Sequence, residues 1–275
     1  MKKSFKNSSY TLAGIAVIGF LVILTAILTN GVSMPEENNT SLAKSITWLN
    51  SPIDTINSIT QKHKYKEKLV VIDPGHGGDD PGAIYPHTTD PKLIEVKEKD
   101  FDLNISLKLY DMLKNSGIRV EMTRQDDRTL KQEDRGEFAN GLNASLFVSI
   151  HNNSYKVSSN NGTSTYFNPS INAASYGITG KRAAQLLQKE LVKELGTIDV
   201  GVKELTPKMK YSNTKMPIVL AEVAYISNDW DRQNLSTEKF RMKAAQGLYD
   251  GIIKILDEMV ASEAAAPTQP QRDPL

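Results

Sequence analysis

Apolar residues recur along this chain in two rhythms. Short runs at 69–72, 119–123, 146–150, 164–167 and 218–226 have the length and β-branched content of strands. Longer segments between them carry helical stripes. Leu103, Leu107, Tyr110 and Leu113 share one face, and Asn115, Ser116 and Gly117 supply a stop. Ala183, Leu187, Leu191 and Leu195 recur every fourth residue up to Gly196, and Phe240, Ala244, Leu248, Ile252 and Leu256 mark a last helix. This alternation predicts an α/β fold: one domain over 68–258 with a central mixed, mostly parallel sheet flanked by helices on both faces. The stripes themselves are core packing and carry no chemistry.

The two ends follow neither rhythm. Residues 1–9 hold Lys2, Lys3 and Lys6, and residues 10–29 form an uncharged run of the length a helix needs to cross a bilayer. The expectation is a transmembrane signal anchor with a cytoplasmic N-terminus and an exterior catalytic domain. A cleaved signal peptide, releasing the domain to the cell wall, fits less well, because the apolar core is long and no small-x-small cleavage site stands out. Residues 30–67 read as a polar spacer with one short helix around Ile46, Trp48, Leu49 and Ile53. Residues 259–275, with Pro267, Pro270 and Pro274, read as a disordered tail.

Composition narrows the chemistry. Lys and Arg number 33 against 32 Asp and Glu, a net charge of +1, so the basic field of a nucleic-acid binder is missing. Cysteine is absent, which excludes disulfides and thiolate metal sites and leaves His, Asp and Glu as available ligands. Of only four histidines, His76 follows the run at 69–72 and His151 closes the run at 146–150. An imidazole at a strand end is delivered by rigid scaffold to the sheet edge, where ligand sites of open α/β sheets lie. Gly75, Gly77 and Gly78 remove side chains around His76. The turn matches neither GxxxxGK[ST] nor GxGxxG, which argues against a phosphate cradle.

Two imidazoles need a third ligand, and Glu98 and Glu95 both stand near a helix start from which a carboxylate can face the strand ends. Glu222 interrupts the apolar run at 217–226. Buried there, it has a raised pKa suited to accepting and returning a proton; on an edge strand it simply faces water. Arg124 and Arg135 read as ion-pair or packing residues rather than catalytic ones.

Taken in order, Val70-Val-Ile-Asp-Pro-Gly-His-Gly-Gly78, Glu98-Lys-Asp100, Met122-Thr-Arg124, Arg135 with Ala139-Asn140, Ser149-Ile-His-Asn152, Thr214-Lys-Met-Pro217 and Leu220-Ala-Glu-Val-Ala-Tyr-Ile-Ser-Asn228 resemble the zinc-dependent N-acetylmuramoyl-L-alanine amidases of the Amidase_3 class. The resemblance implies that His76, Glu98 and His151 bind Zn²⁺, choosing Glu98 over Glu95, and that Glu222 is the catalytic acid/base. It further implies peptidoglycan as substrate, cut between the lactyl group of N-acetylmuramic acid and the L-alanine of the stem peptide. Asp102 stands where the family has Asn, and the loop at 84–96 is longer and more charged than usual, which bears on substrate preference. The stretch between His151 and Glu222 is too short for the autoinhibitory helix of some relatives. The competing expectations are a zinc carboxypeptidase or aminopeptidase acting on stem peptides, and a catalytically silent wall-binding module.

Overall fold

The computed structural model describes residues 60–61, 64–85, 95–169, 173–206, 211 and 213–265. In chain order these form β1 (Leu69–Pro74), β2 (Ile84–Tyr85), β3 (Val96–Lys97), α1 (Glu98–Asn115), β4 (Arg119–Met122), α2 (Gln132–Gly141), β5 (Leu146–Asn153) and β6 (Thr163–Phe167). They continue with α3 (Ala173–Tyr176), α4 (Gly180–Leu195), β7 (Asp199–Glu204), β8 (Ile218–Tyr225), α5 (Asp229–Leu235) and α6 (Glu238–Ala265).

The main sheet has the order β4-β1-β5-β8-β6-β7. Pairings β4–β1, β1–β5, β5–β8 and β6–β7 are parallel, and β6–β8 is antiparallel. It is therefore the mixed, mostly parallel sheet expected from the alternation. β2 and β3 form a separate two-stranded ribbon. The inner strands read as near-continuous apolar runs because both of their faces are covered; every residue of β1 is buried.

Those two faces are covered unequally. Val70, Ile72, Val148, Ile150, Val219, Ala221 and Val223 point into a large core shared with α1, α4 and α6. The alternate residues Val71, Phe147, Ile218 and Leu220 face a smaller cluster with Ala139 of α2, Tyr211 and Met216. Strand alternation then places Asp73, Ser149, His151 and Glu222 on this thinly covered face.

Helix ends follow the expected chemistry. Gly117 (φ 76°) follows α1 and Gly196 (φ 68°) caps α4, both in the left-handed region that glycine enters without strain. The domain is wider than 68–258. α6 runs on to Ala265, since Met259 is fully buried and continues the apolar stripe. Tyr65 is also part of the core, its hydroxyl donating to Asp257, and Lys68 pairs with Glu263. The tail expected from 259 therefore starts inside a helix; the prolines that suggested it lie further on. The expected anchor at 10–29 and most of the spacer lie outside the described residues, and no helix among the described residues is long and apolar enough to cross a membrane.

Candidate metal centre

His76 stands in the turn after β1 with φ 56°, a conformation unusual for a side-chain-bearing residue. Two buried arginines hold that turn. Arg135 Nη2 donates to the His76 carbonyl (2.7 Å), and Arg124 donates to the carbonyls of Pro74 (3.1 Å) and Gly75 (2.5 Å). Gly75 is required by contact: a Cβ there would stand 2.3 Å from His151 Cε1. Gly82 has the same role on the other side, where a Cβ would lie 2.7 Å from both His76 Cδ2 and Glu98 Oε2.

Glu98 is the first residue of α1 and is 6% exposed. Its Oε1 lies 3.1 Å from His76 Nε2 and 3.1 Å from His151 Nδ1, and also accepts the Asn152 N–H. Its Oε2 accepts the Ala83 N–H at 2.9 Å. Burial pushes this carboxyl up, but the bonds to His151 and His76 outweigh burial and hold it well below the usual carboxylate range. Glu95, the competitor in the sequence, is exposed.

The two imidazoles meet edge to face, with centroids 4.9 Å apart. His76 Nδ1 lies 2.9 Å from Asp80 Oδ2, the outer carboxylate contact that fixes a ligand imidazole's orientation. Burial opposes a charged His76 ring, but Glu98 and Asp80 together raise its pKa above the ordinary value. Asp102, fully buried on α1, is the fourth member of the cluster. One donor atom from each of His76, Glu98, Asp102 and His151 lies within 4.8 Å of the others. Asp102 Oδ1 accepts from Asn152 Nδ2 (2.8 Å), while Oδ2 has no partner among the described residues. Burial, and after it the charge of Glu98, raises the Asp102 pKa well above normal.

Glu222 lies inside the sheet, β8 being flanked by β5 and β6, which rules out the edge-strand reading. Its Oε2 is buried without a hydrogen-bond partner among the described residues. Burial and the neighbouring charge of Glu98 push its pKa well above the usual range, against a smaller downward pull from Lys203. His76, Glu98, His151 and Glu222 line one cleft of about 520 Å³, together with Gln132, Asn152, Asn153, Ser154, Tyr211 and Leu220.

Beneath the cleft a buried polar network fixes the strands. Asp73 Oδ1 accepts from Arg135 (2.8 Å) and Thr123 (2.6 Å), and its Oδ2 from Ser149 (2.9 Å) and Tyr211 (2.8 Å). Arg124 and Arg135 are thus the ion-pairing and packing residues expected. Tyr211 and Gln132 line the cleft without any local pattern in the sequence that marks them. Asp102 was visible in it only as a departure from a family motif.

The donor set of two imidazole nitrogens and one carboxylate oxygen, converging from three rigid elements, fits the ligand set of a catalytic zinc site. The family model described as N-acetylmuramoyl-L-alanine amidase, Amidase_3, matches residues 70–254. Among characterised and uncharacterised relatives, the Bacillus subtilis protein YqiI is 38% identical over 191 residues, 70% of this chain and 86% of that protein. The N-acetylmuramoyl-L-alanine amidase LytC of Bacillus subtilis is 36% identical over 187 residues, 68% of this chain but only 35% of LytC. The catalytic domain of CwlV, an N-acetylmuramoyl-L-alanine amidase from Bacillus (Paenibacillus) polymyxa var. colistinus, superposes with a TM-score of 0.61 at 37% identity, covering 69% of this chain and 98% of that one. An N-acetylmuramoyl-L-alanine amidase from Clostridium difficile 630 gives a TM-score of 0.61 at 29% identity, covering 69% and 97%.

Proposed function

Since the chain belongs to the Amidase_3 family and is an N-acetylmuramoyl-L-alanine amidase acting on peptidoglycan, we propose that it works as a zinc enzyme in which His76, Glu98 and His151 hold the ion and Glu222 moves the proton. The observation that carries this reading is the convergence of both imidazoles on Glu98 Oε1 at 3.1 Å, with Glu222 lining the same cleft.

Zinc bound there supplies Lewis acidity, polarising the lactyl carbonyl and lowering the pKa of water toward about 7. The remaining work belongs to the chain. Glu98 accepts two backbone N–H groups, His76 is oriented by Asp80 and His151 stands on β5, so the fold itself sets the donor geometry. Glu222 takes a proton from the attacking water and returns it to the alanine nitrogen, so that a neutral amine departs. A carboxylate whose proton affinity is raised by burial is suited to both halves of that transfer.

Residues 10–29, preceded by Lys2, Lys3 and Lys6, are proposed to anchor the enzyme in the membrane with the catalytic domain outside. Recovery of the mature protein with an N-terminus near residue 32 reverses that assignment in favour of a secreted enzyme. For the chemistry, zinc stoichiometry is measured beside mass spectrometry of digested peptidoglycan. One zinc per chain and free stem peptides with an intact N-terminal alanine support the reading. Loss of a terminal D-alanine instead identifies a peptidase, and wall binding without product identifies a silent module.

A further inference from the structure

Glu222 is the inner end of a polar strip that crosses the thin face of the sheet away from the metal cluster. Across the antiparallel ladder Glu222 stands opposite Ser164 and Leu220 opposite Tyr166, and Tyr166 in turn pairs with Lys203 on the edge strand β7. Alternation puts Ser164 and Tyr166 on the Glu222 face, since Thr165 between them bonds Gln188 of α4 on the other side. Lys203 is on that face too: its ammonium lies 5.7 Å from the centre of the Tyr166 ring.

Beside Glu222 itself, two groups of this strip are unused by the chemistry above. Ser164 is fully buried, yet its Oγ has no partner of ordinary hydrogen-bond geometry among the described residues, and Glu222 Oε2 on the neighbouring strand has none either. Lys203 is exposed and forms no ion pair among the described residues, although its charge reaches Glu222. Two interstrand spacings, about 10 Å, separate the β8 and β7 backbones, so Lys203 is too remote to touch the bond being cut.

We propose that this strip receives the peptide leaving group, and that Lys203 pairs with the α-carboxylate of the residue following the released alanine. Glu222 fixes the direction, because the group that delivers a proton to the alanine nitrogen must stand on the peptide side of the scissile amide. Reach agrees: two extended residues span about 7 Å, and a lysine side chain folded over Tyr166 closes the remaining gap. The inference rests on the amidase reading and adds to it a preference for an anionic second residue.

The test uses soluble muramoyl dipeptides differing only in whether that α-carboxylate is free or amidated, with the zinc-loaded full chain. Wild type prefers the free acid, and Lys203→Met lowers the acid-to-amide ratio of kcat/KM about fivefold, as expected for a partly exposed ion pair. Lys203→Arg restores most of the ratio, and added salt shrinks it in wild type alone. An unchanged ratio in Lys203→Met, or equal loss on both substrates, overturns the subsite while leaving the amidase reading intact. Wild type that releases peptide from neither substrate overturns both.

Discussion

His151 and Glu222 are direct neighbours across the parallel ladder of β5 and β8. One pair of hydrogen-bonded strands therefore sets the distance between a proposed metal ligand and the proposed proton carrier, and no loop movement is needed to bring them together.

Glu222→Gln removes the proton carrier while keeping the side chain's size and shape. Hydrolysis is expected to fall about 10²- to 10⁴-fold, with zinc content unchanged. Turnover equal to wild type on purified muropeptides removes Glu222 from the mechanism. His151→Ala, by contrast, is expected to lose both activity and metal, read by elemental analysis.

The same Glu222→Gln substitution has an opposite effect on stability. The folded pKa of Glu222 is raised above its ordinary 4.5, so the unfolded chain releases this proton first. Its contribution is complete below pH 4.5 and is lost as pH rises toward the folded value. In metal-free protein, Glu222→Gln is expected to melt higher than wild type at pH 7, with the gap closing below pH 4.5. Parallel melting curves across that range contradict a raised pKa.

Asp73 anchors four donors in the dry interior. Asp73→Ala leaves Arg135, 3% exposed, as an uncompensated buried cation. The expected loss is about 3–5 kcal/mol in urea unfolding, larger than for Arg135→Lys. A loss under about 1 kcal/mol shows the pair to be solvated in solution.

Gly75→Ala tests the close approach of backbone and ring. With a Cβ 2.3 Å from His151 Cε1, the imidazole has to move, and zinc affinity is expected to fall at least about 10-fold while the fold is retained. Competition with a chromogenic chelator measures it.

The catalytic layer was legible in the sequence where burial leaves a mark. β1, β5 and β8 are covered on both faces, so their apolar runs stood out, and His76, His151 and Glu222 were visible as breaks in those runs. Choosing Glu98 over Glu95 needs the family resemblance, because both stand near the start of the same helix and only the fold shows which one faces the imidazoles. β7 leaves little mark in the sequence because no residue of Asp199–Glu204 is fully buried, and α2 because only three of its ten residues are. Tyr211 had no local signal at all. Its partners Asp73 and Ser149 lie 138 and 62 residues away, so nothing near it in the chain marks it as part of the site.

Three helices seal one face of the sheet, while a short helix and an irregular segment cover the other, so rigidity and selectivity occupy separate layers. Ser164, Tyr166 and Lys203 point away from the helical layer that sustains folding. A chain divided in this way can adapt to altered wall chemistry by single changes on its open side, each intermediate remaining folded, while the hydrolytic apparatus is inherited unaltered.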